Sequence, residues 1–260
     1  MALGTTAAVV IGGFPLGESD RVVTFFSREH GKVRGVAKAA RRLRSRFSGA
    51  LELFTHGRLI FFDTGRSELV RIDHFDITHP FDRLRGDLER LGQASWMVEC
   101  VSRLTGERDR HVALYGLLVR SFRAMERAAS PARVAVCFGV RALDALGYRP
   151  RLDRCGRCGR AWPFPRPCLD EEGLVCERCV AGQGDGTPLS PAAVAALGRL
   201  RAAAWEDALG ARIGRTETEL RDALEAHMAR LIGQPTRADR FLREVVRAEP
   251  LHRTDGGTSL

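Results

Sequence analysis

Four cysteines constrain this chain more than any other feature: Cys155-Gly-Arg-Cys158 and Cys176-Glu-Arg-Cys179 are two C-x2-C pairs with 17 residues between them. That spacing belongs to sites in which four thiolates surround one tetrahedral ion. Two residues between cysteines let both sulfurs of a pair reach the same ion, and Gly156, Gly159 and Gly173 permit the tight turns this demands. Four thiolates leave no open coordination position. The expected cofactor is therefore one structural Zn2+, a folding staple for residues 153–181 and not a Lewis acid. Two disulfides are the first alternative; an odd count of seven cysteines and the lack of a signal-peptide core speak against them. A second alternative puts Cys168 in place of one knuckle cysteine. Cys100 and Cys137 lie on apolar helical faces and read as small buried hydrophobes.

Around this segment the hydrophobic period changes along the chain. In the first 80 residues, Val9–Ile11, Arg21–Phe26, Lys32–Ala37, Leu51–Phe62 and Leu69–Ile77 read as strands, with turn signals at Gly12-Gly13, Arg28 to Gly31 and Asp63 to Gly65. Five short strands fit a small barrel, either an OB-fold or an SH3-like barrel. From Phe81 the period is helical. Leu88, Leu91, Trp96, Val98, Val101 and Leu104 trace one face, and Val112, Tyr115, Leu118, Val119, Phe122 and Met125 the next. Ser130-Pro131 opens a third helix that stops at Gly147, and Ser190-Pro191 opens another. Thr216 and Glu219 have capping-box spacing. Gly182 to Pro188 reads as a flexible connector, Phe241 to Val246 as a short helix, and Arg253 to Leu260 as a disordered tail. The expected class is α+β: a barrel over residues 1–80, then a helical domain over 81–260 interrupted by the zinc module. No apolar run approaches the roughly 20 residues of a membrane helix, and a soluble, cytoplasmic protein is expected.

Charge supplies the first functional hint. The chain holds 41 lysines and arginines against 32 acids, a net charge of +9, yet only Lys32 and Lys38 are lysines. The excess is concentrated. Lys32, Arg34, Lys38, Arg41, Arg42, Arg44 and Arg46 occur within fifteen residues that contain no acid, while the rest of the first 80 residues are net negative. Unpaired cations repel one another, and phosphates would supply the missing counter-charge. Phe47 nearby is either a barrel residue or a base-stacking one. Residues 81–150 add a further +4. Catalytic motifs are absent: Gly31-Lys32 lacks the rest of a P-loop, and no H-x-E, H-E-x-x-H or G-x-S-x-G occurs. His30 reads as a solvated turn residue. A binding protein is expected, not an enzyme.

At these residues the sequence resembles a known family. Leu16-Gly-Glu-Ser-Asp-Arg21, Thr24, Arg28-Glu-His-Gly-Lys-Val-Arg-Gly-Val-Ala-Lys38 and Arg46-Phe-Ser-Gly-Ala-Leu-Glu52 resemble the N-terminal domain of the RecO family of bacterial DNA repair proteins. The resemblance continues through the helical segment to Gly147-Tyr-Arg-Pro-Arg-Leu152 and the cysteine pairs. It implies an OB-fold, a helical domain and an embedded zinc-binding region. It further implies a non-enzymatic mediator that binds single- and double-stranded DNA, anneals complementary strands and, with RecR and RecF, loads RecA on DNA covered by the single-strand-binding protein SSB. The C-terminal tail of SSB is expected to dock in the helical domain. The alternative is an OB-fold and zinc protein of the translation machinery that binds RNA.

Overall fold

Residues Ala8 to Ile11 are buried without a break because their strand faces two cores at once. In the computed structural model, which describes residues 2–65, 67–181 and 186–238, this strand is β1 (Ala2–Leu16). Ala8 and Val10 point into a barrel core, whereas Val9 and Ile11 join a helical core on the other side. A strand covered on both faces reads as a continuous apolar run, which is why its sequence lacks clean alternation. The strand is far longer than the Val9–Ile11 expected. Gly12-Gly13 is not a turn: β1 passes it with a bulge between Val10 and Gly12. A Cβ at Gly13 would sit 2.6 Å from the Val22 carbonyl oxygen, so glycine here permits close strand pairing.

The barrel is completed by β2 (Asp20–Ser27), β3 (Gly31–Ala37), β4 (His56–Asp63) and β5 (Val70–His79), closed in the order β1-β2-β3-β5-β4 with a parallel β3–β5 pair. That is an OB-fold. The fourth strand begins at His56 and not at Leu51. Residues 51–55 instead turn, with Phe54 at φ 72°, to send Leu51 into the barrel core and Phe54 into the helical one. Phe54 N–H donates to Val10 O, and Val10 N–H to Thr55 O, both at 2.9 Å, which satisfies the backbone at the β1 bulge.

A short α1 (Asp82–Arg85) leads into α2 (Leu88–Leu104), α3 (Val112–Met125) and α4 (Pro131–Ala145). Helix α4 is the central one, packed against α2, α3 and, later in the chain, α6 (Pro191–Ala202), α7 (Trp205–Gly210) and α8 (Thr216–Ile232). Both Ser-Pro starts form as expected: Ser130 and Ser190 accept from Arg133 N and Ala193 N, each at 3.1 Å. The capping box does not form. Thr216 donates to Ile213 O at 2.6 Å, while Glu219 binds the Ser190 hydroxyl at 2.8 Å and Ser190 N–H, tying α8 to α6. Between α4 and α6 lie β6 (Cys168–Leu169), β7 (Leu174–Val175), α5 (Glu177–Val180) and β8 (Thr187–Pro188). The connector reading therefore fails at its end, because Thr187-Pro188 pairs with β6. Residues 182–185, the expected helix over 241–246 and the tail 253–260 lie outside the described residues. Among the described residues no helix is long and apolar enough to cross a membrane.

Barrel and helices are joined a second time at the β2–β3 turn. Lys32 Nζ donates to Ser102 O at 2.8 Å and Thr105 O at 2.9 Å, capping the C-terminus of α2, and lies 3.4 Å from Glu107. Arg108 N–H returns a bond to Lys32 O at 3.0 Å. Gly31, at φ 60°, has no room for a side chain: a Cβ would come within 1.9 Å of Asp109 O. Gly31→Ala should therefore prise this seam open, costing about 3 kcal/mol and lowering Tm by about 6–12 °C in calorimetry. An unchanged Tm would show that the seam yields freely.

Candidate nucleic-acid interface and cysteine cluster

Strand register places a defined set of side chains on the outer face of β1, β2 and β3. Gly12, Thr24 and Arg34 form one cross-strand row; Phe14, Val22 and Val36 form the next, continued by Arg71 on β5. Phe14 and Leu16 are 49% and 42% exposed, unusual for large apolar side chains on a sheet. The sequence pattern hid them, because Gly12-Gly13 looked like the end of the strand. Val22 is buried, so exposed Phe14 and half-buried Val36, with Arg34 and Arg71 nearby, are the accessible part, and apolar sheet faces of this kind are where bases stack in OB-folds.

The β3–β4 connection borders this face at the β1–β2 turn. Lys38, Arg41, Arg42, Arg44 and Arg46 are all exposed. The connection starts with Ala39 at φ 57°, whose N–H donates to Asp20 Oδ1 at 2.8 Å; this bond holds the Asp20 carboxyl below the usual carboxylate range. Arg41 anchors the loop to the β1–β2 turn, its amide bonding Ser19 O at 2.9 Å and its guanidinium Gly17 O at 3.0 Å. Phe47 is buried in the barrel core under Arg46, which excludes it as a stacking residue. The seven sequence-defined cations thus divide. Five share the loop, and Arg34 stands on the sheet face, lining a polar cavity with His30, Asp63 and Glu107. Lys32 is turned inward, with only 11% of its side chain exposed, because the α2 carbonyls and Glu107 take its donors.

The cysteine pairs converge as their spacing predicts. The Sγ atoms of Cys155, Cys158, Cys176 and Cys179 all lie within 4.8 Å of one another, and Cys158 and Cys176 are 3.7 Å apart. Sulfurs bonded at about 2.3 Å to a tetrahedral ion are about 3.8 Å apart, so the cluster fits such an ion. A disulfide needs about 2 Å, and all seven cysteines are free. Burial opposes ionisation at Cys155, but backbone N–H groups of Cys158, Cys176 and Arg157 outweigh it and bring its pKa to about 6. Cys168 stands apart, buried in β6 with its thiol pushed up by burial. Cys100 and Cys137 are buried helix residues, and burial raises the Cys137 pKa to about 11. Helix α8 holds the module: His227 Nδ1 bonds Asp170 O at 2.9 Å, and Arg230 bonds Leu169 O at 2.8 Å.

One further concavity carries strong charge. Arg120 and Arg123 of α3, Arg127 just past its end and Arg133 of α4 surround a cavity of about 660 Å³ whose apolar side comes from Val134, Trp205 and Leu209. Arg133 is fixed by the Glu217 carboxylate at the start of α8. The charge of residues 81–150 pointed to this region; Trp205, distant in sequence, could not be placed without the fold.

An OB barrel with a cationic, partly apolar outer face, sharing its core with a helical unit that holds a four-thiol cluster, defines an OB-fold protein with a four-cysteine cluster that could hold a metal ion. The family model described as Recombination protein O N terminal matches residues 1–81, and Recombination protein O C terminal matches residues 85–240. A DNA repair protein RecO from Anaeromyxobacter dehalogenans (strain 2CP-C) is 38% identical over 245 residues, covering 91% of this chain and 94% of its own. The protein of that name from Myxococcus xanthus (strain DK1622) is 37% identical over 174 residues, covering 66% and 70%. That from Roseiflexus sp. (strain RS-1) is 32% identical over 250 residues, covering 92% and 85%. The chain belongs to the RecO family, and its role lies in DNA repair and recombination.

Proposed function

We propose that the chain is a non-enzymatic recombination mediator. It binds single- and double-stranded DNA, anneals complementary strands and, with RecR and RecF, helps load RecA on SSB-coated DNA. The observation that carries this reading is the β3–β4 loop: five exposed cations without an intervening acid, beside the Phe14 row. Phosphates of two strands neutralised on this surface repel each other less, and pairing then needs only proximity. Bases held against Phe14 and Val36 stay unpaired until a complement arrives. The barrel, residues 1–80, handles DNA, and the helical part, 81–260, handles partners. The family's place in DNA repair disfavours the translation-machinery alternative.

The arginine-rimmed cavity supports the SSB contact. A tail that is acidic and ends in an apolar residue matches guanidiniums around Val134, Trp205 and Leu209. Cys155, Cys158, Cys176 and Cys179 are read as the ligands of one structural Zn2+; when bound, the ion supplies cross-linking of the two knuckles and no chemistry beyond that.

Three measurements test this reading. With five phosphate contacts on a single strand, log K against log salt should have a slope of about −3.5, and the combined Arg41→Ala, Arg42→Ala and Arg44→Ala variant should lower its magnitude by about 2. An unchanged slope would move the site off the loop. Arg120→Glu with Arg127→Glu should slow annealing of SSB-coated strands about tenfold while leaving bare strands unaffected. Equal slowing on both substrates would refute a tail site there. Elemental analysis should find one zinc per chain, lost in Cys176→Ser together with thermal stability. Iron in place of zinc would reassign the site to a mononuclear iron centre.

A further inference from the structure

Leu43 is fully exposed, between Arg42 and Arg44 at the tip of the β3–β4 loop. The tip is a turn in which Ser45 N–H donates to Arg42 O at 3.0 Å, so Leu43 and Arg44 are its two outermost residues. It is held at both ends. On one side Arg41 is bonded to Gly17 O, Glu18 O and Ser19 O; on the other Phe47 is sunk in the barrel core. Of the loop's other apolar residues, Ala40, Phe47, Ala50 and Leu51 pack against that core, and Leu53 and Phe54 against the helical one. Leu43 is the loop's one large apolar side chain turned to water, at a point where solubility would favour a polar residue.

We infer that Leu43 is a wedge that enters a base step while Arg42 and Arg44 grip the phosphates on either side. This rests on the loop being the phosphate-binding element proposed above. An apolar side chain presented between cations matches a nucleic acid, which offers an apolar stack behind a charged backbone. Because opening a stack costs free energy, the wedge selects DNA in which stacking is already interrupted: a mismatch or a junction between single and double strands. Such junctions are the substrate and product boundary of annealing, so the wedge would hold the growing end of a duplex.

The test compares the full-length protein with Leu43→Ser and Leu43→Met on duplexes carrying 2-aminopurine, whose fluorescence rises on unstacking. The wild type and Leu43→Met should raise the signal at a mismatch or junction and prefer those duplexes about tenfold over matched ones. Leu43→Ser should lose both effects yet keep the salt slope set by the arginines. The same fluorescence and preference in Leu43→Ser would overturn the wedge while leaving DNA binding by the loop intact. A wild type without salt-dependent DNA binding would overturn the loop reading itself, and the wedge with it. Binding to phosphatidylserine vesicles that depends on Leu43, with DNA unstacking unaffected by it, would also overturn the proposal and assign the residue to a membrane surface.

Discussion

The double burial of β1 governs the rest of the molecule. Ala8 and Val10 close the barrel interior while Val9 and Ile11 pack among the helices, so one stretch of chain belongs to two cores. Phe26 and Phe54 repeat the arrangement from β2 and from the turn before β4. A barrel sharing its outer wall with a helical unit cannot swivel on it without opening apolar surface to water. The remaining outer surface of β1 to β3, beyond Ile11, is the part that the helices leave bare. Phe14, Leu16 and the loop cations occupy that part, so the face proposed to bind DNA lies where the shared core ends.

Much of this organisation was legible in the sequence, for identifiable reasons. The cysteine spacing encodes a local geometry, and the four sulfurs meet without tertiary information. The Ser-Pro starts of α4 and α6 are local as well. What escaped was decided by distant contacts. Gly12-Gly13 has the local signature of a turn, but its role is close approach to Val22. Glu219 has the spacing to cap its own helix, but Ser190 offers it two donors. Lys32 looked like one cation among seven, and only the packing of α2 against the barrel shows it neutralised.

That division of the cations qualifies the net charge of +9. Many arginines serve as long donors to main-chain carbonyls: Arg85 to Leu53 O and Pro80 O, Arg90 to Met125 O and Ala128 O, Arg141 to Ala203 O, Arg201 to Pro150 O. A planar guanidinium with several donors suits this internal use. The surplus proposed to address partners is smaller than the total and sits on the β3–β4 loop and around the cavity beside α3 and α4.

Helix α8 spans 17 residues, about 25 Å, and has a fixed duty at each end. Its first turn clasps Ser130, Arg133 and Ser190, and its last turns clasp Asp170 and Leu169. Chains leave the ribosome N-terminus first. The barrel has all its strands early, but the cysteine module and the arginine cavity must wait for a helix made some forty residues after the last knuckle cysteine. Assembly of this protein therefore closes backwards, with late-made residues locking parts synthesised long before them.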